Sequence, residues 1–151
     1  MKTVNIYTDG ACRGNPGDGG WGVLIEYENI SKEYFGGEKN TTNNKMELKA
    51  AIHGLSVLKE SCDVNITTDS KYVMDGITSW IENWKKNNWK NASKKDVKNK
   101  DLWIELDKLT TKHNVKWNWV KGHSGHEKNE IADALANLSL IHISEPTRQK
   151  P

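Results

Sequence analysis

Two short runs of this chain share one design, and together they limit its fold more than any other feature. Val4 and Ile6 alternate with polar residues and lead into Tyr7-Thr8-Asp9; Val64 and Ile66 do the same and lead into Thr67-Thr68-Asp69. A period of two in β-branched residues reads as a strand, so each run is a strand that ends in an aspartate. Between them Leu48, Ala51, Ile52, Leu55 and Leu58 recur at helical spacing after Thr42 or Asn43 as N-cap, which predicts a helix running to about Lys59. A helix of that length suffices to carry the chain across to a parallel neighbour of the first strand. With the two strands side by side, Asp9 and Asp69 emerge at one sheet edge, at the carboxyl ends where open α/β sheets hold their ligands. Each aspartate has a plainer reading alone: Asp9 as the end of an ordinary strand, Asp69 as the cap of a helix starting at Ser70.

The rest of the chain falls in around this unit. Gly10, Gly14, Pro16 and Gly17 follow Asp9, a composition that lets the backbone turn and approach a ligand closely. Trp21–Glu28 and Lys32–Gly37, with a turn at 28–31, extend the first strand into an antiparallel meander, with Trp21, Val23, Ile25 and Tyr27 facing the core. Glu47 lies in or near the first turn of the helix, where an acid commonly complements the helix dipole. A second helix is predicted from Lys71 to Ile81, and a third from Leu102, Ile104, Leu106 and Leu109 with Trp103 beside them. Val115–Val120 is a fifth strand. It gives way to a glycine-flanked loop carrying His123, and then to a helix with Ile131, Ala134, Leu135 and Leu138 toward the core and Asp133 offset from them. A histidine near several carboxylates, titrating near neutrality, is a candidate for proton transfer.

Composition narrows the class. A length of 151 residues suits one domain with a sizeable core, and two cysteines fifty positions apart suggest neither a disulfide framework nor a zinc site, which fits a reducing, cytoplasmic setting. There is no signal-peptide pattern and no apolar run of membrane-spanning length, so a soluble protein is expected. The net charge is only +2, yet residues 80–100 hold seven lysines against Glu82 and Asp96, a local balance of +5. Interleaved with Trp80, Trp84 and Trp89, these lysines suit a nucleic-acid backbone; a solvated lysine face with tryptophans gluing it to the body is the plainer alternative.

The ordered set Asp9, Glu47, Asp69, His123 and Asp133 resembles the type 1 ribonuclease H family of the bacterial kind. The text that carries the resemblance is Tyr-Thr-Asp-Gly-Ala-Cys-Arg-Gly-Asn-Pro-Gly at 7–17, Thr-Thr-Asn-Asn-Lys-Met-Glu-Leu at 41–48, Thr-Asp-Ser-Lys-Tyr-Val at 68–73 and Val-Lys-Gly-His-Ser-Gly-His at 120–126. The resemblance implies an α/β fold with a five-stranded mixed sheet, three antiparallel strands then two parallel ones, flanked by helices. It implies a domain over 1–138 with a basic protrusion at 80–100. The activity implied is endonucleolytic hydrolysis of the RNA strand of an RNA/DNA hybrid, with little sequence preference, leaving 5′-phosphate and 3′-hydroxyl ends. Asp9, Glu47, Asp69 and Asp133 would hold two magnesium ions, with manganese as a substitute, and His123 would move a proton or assist product departure. Hard oxygen donors select such ions, and clustered carboxylates need them to relieve their repulsion. The resemblance further implies that Cys12, Asn43, Asn44 and Glu47 lie along the RNA sugars, that Asn15 and Thr42 hold a DNA phosphate, and that Trp80 packs on a deoxyribose. Trp84, Lys85, Lys86, Trp89 and Lys90 would belong to the gripping protrusion. No zinc ion, nucleotide cofactor, membrane or obligate protein partner is expected, and the protein is expected to be a monomer.

Two departures stand out. Lys71 occupies a position where the family usually has glutamine, which adds a charge near the site. The ending from Leu138 does not resemble the family's, so residues 139–151 are expected to form an atypical flexible tail, with Pro146 stopping any helix by about Ser144. A non-catalytic hybrid binder is the competing class, disfavoured because clustered carboxylates repel phosphates. A free-standing protein is expected rather than a domain of a polymerase, since Met1 lies just before the first strand.

Overall fold

The computed structural model describes residues 1–122 and 125–144. One sheet of five strands runs through it in the order β3-β2-β1-β4-β5. These are β1 Lys2–Gly14, β2 Gly17–Tyr27, β3 Ile30–Thr41, β4 Cys62–Thr68 and β5 Asn114–Trp119. β1, β2 and β3 form an antiparallel meander, whereas β4 pairs in parallel with β1 and β5 in parallel with β4. The predicted crossover is present: α1, Asn43–Ser56, joins β3 to β4, with Thr42 as its N-cap accepting from Lys45 N at 3.2 Å. α1 stops three residues short of the predicted end, and no acid sits in its first turn; Glu47 falls in the second, so the helix dipole does not explain it.

Strand β1 is longer than its pattern predicts. Its pairing with β4 ends at Thr8 opposite Thr68, but its pairing with β2 continues to Gly14 opposite Gly17. The glycine-rich stretch is thus the far end of a hairpin, and Asp9 stands where the sheet divides rather than where the strand ends. β1 has one neighbour there instead of two, which opens the edge beside the ends of β4 and β5.

Helices cover both faces. Trp21 and Val23 of β2 face α1, where Trp21 stacks on His53 with centroids 4.6 Å apart. The alternate residues Gly20 and Gly22 face α5, Glu127–Ser144, so closely that a Cβ at Gly22 would fall 2.4 Å from Ala132 O. This approach decides which side of α5 is buried: Ala132, Leu135, Ala136, Ser139 and Leu140, a stripe of mostly small residues laid on glycine positions. Ala134 and Leu138, predicted to face the core, are exposed. The domain boundary predicted at 138 falls inside α5, which continues to Ser144 with Ser139 and Leu140 buried against the sheet. The rest of the predicted tail, residues 145–151, lies outside the described residues, as does His123.

The helix predicted over Lys71–Ile81 divides into α2, Lys71–Asp75, a π-helical turn over Gly76–Trp80, and α3, Ile81–Lys86. Ser70, not Asp69, caps α2 by accepting from Val73 N at 3.1 Å. Gly76 lies flat on Trp103 of α4, Lys100–Lys112; a Cβ there would fall 2.0 Å from the indole. The wide turn shifts the helix face by one residue, so that Val73 and Ile81 stay buried while Trp80 turns to solvent. Trp103, expected beside the apolar stripe of α4, is fully buried at its centre.

Candidate active site

Three carboxylates converge at the divided edge. Asp9 comes from β1, Asp69 from the residue after β4, and Glu47 from α1. Gly10 permits the meeting, because a Cβ there would fall 2.6 Å from Glu47 N and would force α1 away from the strand. One oxygen from each of Asp9, Glu47 and Asp69 lies within 4.8 Å of the others. Asp9 and Glu47 are buried and Asp69 is half-buried. Asp133, on α5, lies outside this group of three but near enough to help raise the Asp9 carboxyl, and Asn137 Nδ2 donates to its Oδ1 at 3.4 Å.

The electrostatics follow from this crowding. Burial, hydrogen bonding to Asp133 and the charge of Asp69 push the Asp9 carboxyl up to about 9. Burial first, then the charges of Asp9 and Asp69, hold Glu47 well above the ordinary carboxylate range. Glu47 Oε1 and Asp69 Oδ1 are buried with no hydrogen-bond partner among the described residues. Unpartnered buried acceptors are costly in a native protein unless something absent from the protein chain satisfies them. A hard divalent cation fits that description: it takes oxygen donors, and it removes the repulsion that otherwise drives protons onto Asp9 and Glu47.

Around the N-terminus of α1 the hairpin end and the helix cap come together. Asn43 N donates to Asn15 Oδ1 at 3.3 Å, and Cys12 Sγ lies 3.4 Å from Thr41 O and 3.6 Å from Gly17 O. Cys12, Asn15, Thr42 and Asn43 therefore gather at the start of α1, the helix that carries Glu47, with Asn44 next in the helix, and Asn43 and Asn15 are exposed there. At the other end of the edge, Gly122 lies so near Asp69 that a Cβ there would fall 2.8 Å from its Oδ2, and this brings the loop that leads to His123 against the cluster.

Comparison with known proteins shows the family. A family model described as RNase H matches residues 1–140. The chain belongs to the RNase H family. A Ribonuclease H of Francisella philomiragia is 62% identical over 143 residues, 95% of this chain and 94% of that protein. The crystal structure of LC9-RNase H1, a type 1 RNase H with the type 2 active-site motif, superposes with a TM-score of 0.87 at 34% identity, covering 95% of this chain and 74% of that one. LC11-RNase H1, solved in complex with an RNA/DNA hybrid, shares the fold at a TM-score of 0.71 and 24% identity, over 91% of this chain and 96% of that one. Membership makes this RNase H chain an enzyme of the endoribonuclease class.

The protrusion of this RNase H is held by its tryptophans. Trp84 packs on Trp103 and Trp80 with centroids 5.3 and 5.7 Å apart, and Trp89 follows at 6.4 Å. Trp84 and Trp89 are half-buried in this stack, so the gluing role is real for both; Trp80, 37% exposed, keeps a free face. Two of the predicted gripping lysines carry partners: Lys85 lies 3.5 Å from Asp107, and Lys90 lies 2.6 Å from Asp96. Lys86 makes no ion pair among the described residues. Sequence reading missed three supports of the site. Gly10 and the Gly20, Gly22 pair had a visible signal, glycines at alternate positions within a strand matched by Ala132 and Ala136 one helical turn apart. The third, Trp119, whose indole donates to Asp69 O at 3.1 Å, had none, because the contact joins residues fifty positions apart.

Proposed function

We propose that this RNase H cuts the RNA strand of RNA/DNA hybrids internally, with little sequence preference, leaving 5′-phosphate and 3′-hydroxyl ends. The observation that carries the proposal is the Asp9, Glu47, Asp69 cluster with its two unpartnered buried oxygens. Asp9, Glu47, Asp69 and Asp133 are the residues that would hold a pair of magnesium or manganese ions. When bound, such ions supply an activated water and neutralise charge at the leaving oxygen of an in-line displacement. The protein's own part is placement. Glu47 and Asp9 stay rigid because the strand and helix backbones that carry them touch at Gly10. Asp133 would join Asp9 from α5, and His123 would carry a proton at product departure.

Substrate choice rests on the rim. Cys12, Asn43, Asn44 and Glu47 would lie along the RNA sugars, where side chains can sense a 2′-hydroxyl. Asn15 and Thr42 stand at the N-terminus of α1, a natural phosphate site, for the DNA strand. Trp80 offers its exposed face to a deoxyribose, and Lys85, Lys86 and Lys90 follow the phosphates beyond, with Trp84 and Trp89 holding them in place. On this reading the enzyme works in the cytoplasm as a monomer without an obligate protein partner, and residues beyond Ser144 are dispensable for cleavage. Cleavage of a matched set, an RNA/DNA hybrid, double-stranded RNA, double-stranded DNA and single-stranded RNA of one sequence, each with magnesium and with chelator, tests it. Magnesium-dependent cutting confined to the RNA of the hybrid is expected. Cutting that ignores chelator, or that falls equally on double-stranded RNA, would overturn it.

A further inference from the structure

Trp119 and Lys71 make a built feature on the lip of the carboxylate cluster that the catalytic reading above leaves unused. Trp119 is the last residue of β5 and is 41% exposed. Its indole N–H donates to Asp69 O at 3.1 Å, and its ring face carries the Lys71 ammonium 5.2 Å from the centroid. Lys71 is the first residue of α2, two positions after Asp69, and is itself exposed. Among the described residues no carboxylate lies within ion-pairing distance of its ammonium. A lysine beside a cluster of acids would ordinarily be drawn to them. Here the aromatic face offers it another resting place, one that leaves its N–H donors open to solvent and still within the same rim.

We propose that Lys71, held on the Trp119 ring, binds a phosphate of the strand being cut, beside the carboxylate cluster, and that Trp119 positions both Lys71 and Asp69. The inference rests on the hybrid-cleavage reading above. The two tasks of Trp119 are chemically separate: the ring face serves Lys71, and the indole N–H holds the backbone carbonyl of Asp69. A lysine on a flexible stem loses much of its freedom on meeting a phosphate, and a stacked stem has already lost some of it. The strand nearest the acids must pass this lip to present its bond, so a fixed cation there meets a phosphate rather than a base.

The test is steady-state cleavage of a hybrid over a series of salt concentrations by the full chain and by Lys71→Gln, Trp119→Phe and Trp119→Leu, each first checked for parental far-ultraviolet circular dichroism. Cutting of the hybrid by the parent is the control: its absence would defeat the functional reading, whereas a cutting parent with indifferent variants would defeat only this inference. Lys71→Gln is expected to raise KM about three- to tenfold with kcat little changed, as for one exposed charge-assisted contact. The slope of log KM against log salt should fall by about 0.7 to 0.9, the value of one phosphate contact. Trp119→Phe keeps a ring but not the N–H, and should lower kcat while leaving the salt slope at the parent's. Trp119→Leu should show both effects, and adding Lys71→Gln to it should raise KM no further than about twofold. An unchanged salt slope in Lys71→Gln, or full additivity in the double variant, would overturn the proposal. So would a Lys71→Gln variant that changes only the magnesium concentration needed for half-maximal rate, since Lys71 would then act on the metal site and not on the strand.

Discussion

Replacing Asp9 with asparagine should make the metal-free protein more stable, and should do so only at neutral and alkaline pH. Asp9, Glu47 and Asp69 bring oxygens within 4.8 Å of one another in a largely buried site. Two full charges at that distance repel by about 3.5 kcal/mol at an effective dielectric constant of about 20. The folded protein avoids part of this cost by keeping a proton, with Asp9 pushed up from 3.8 to about 9. Between those two values the folded state holds a proton that the unfolded chain has released. Stability is therefore full below the unfolded value and falls as pH rises through the window. At about pH 8 the ceiling on that loss is about 6 kcal/mol, from 1.36 kcal/mol per unit. Entry of water and movement of side chains bring it down toward the repulsion of one pair, so a gain of about 3 kcal/mol is expected for Asp9→Asn. In a domain of this size that is about 6 to 12 °C in melting temperature. The assay is urea unfolding of parent and variant in chelator at about pH 8 and about pH 4, where the gain should fall close to zero. Excess magnesium should then narrow the gap at the higher pH, since a cation that binds the intact cluster more tightly stabilises the parent more. A gain of equal size at both pH values, or a loss at both, would show that the cluster is not held under electrostatic strain.

The other expectations concern the scaffold and the grip. Gly22→Ala would place a Cβ 2.4 Å from Ala132 O and push α5 off the sheet; a loss of about 1 to 3 kcal/mol in denaturant unfolding is expected, with kcat falling as Asp133 moves, and a neutral effect would refute the close-packing argument. Removing residues 145–151 should leave melting temperature and cleavage rate at the parental level. Truncation after Leu138 should lower both, because Ser139 and Leu140 are buried; equal behaviour of the two truncations in thermal melts would contradict this. Replacing Lys85, Lys86 and Lys90 together by alanine should weaken hybrid binding and lower its salt slope by about 2 to 3, the smaller figure if the partners of Lys85 and Lys90 hold them back; fluorescence anisotropy over a salt series reads it, and an unchanged slope would return the segment to a solvated face.

Much of the architecture can be read along the chain because it rests on local periodicity. Alternation at Val4, Ile6 and at Val64, Ile66 marks two strands, helical spacing from Leu48 to Leu55 marks the crossover, and the pair dictates that Asp9 and Asp69 share an edge. Glu47 joins them in the family motif, and the structure removes the competing explanation by placing it beyond the first turn. Periodicity is silent where a contact between elements overrides it. The side of α5 that is buried follows from Gly20 and Gly22 on β2, so Ala134 and Leu138, apolar and regularly spaced, are left outside. The break at Gly76 follows from the bulk of Trp103 on another helix. The continuation of β1 past Asp9 follows from the length of β2, its hairpin partner.

Sequence alone therefore determined the identity and order of the acids, the strand and helix sequence, and the lysine-rich protrusion, since composition and spacing are properties of the chain itself. Tertiary structure alone decided how near the acids come and what that nearness does: Gly10 admits α1 to within touching distance of β1, burial and mutual charge then move the protons, and Trp119 reaches across fifty residues to hold Asp69. Distance and burial are properties of packing, and no local pattern encodes them.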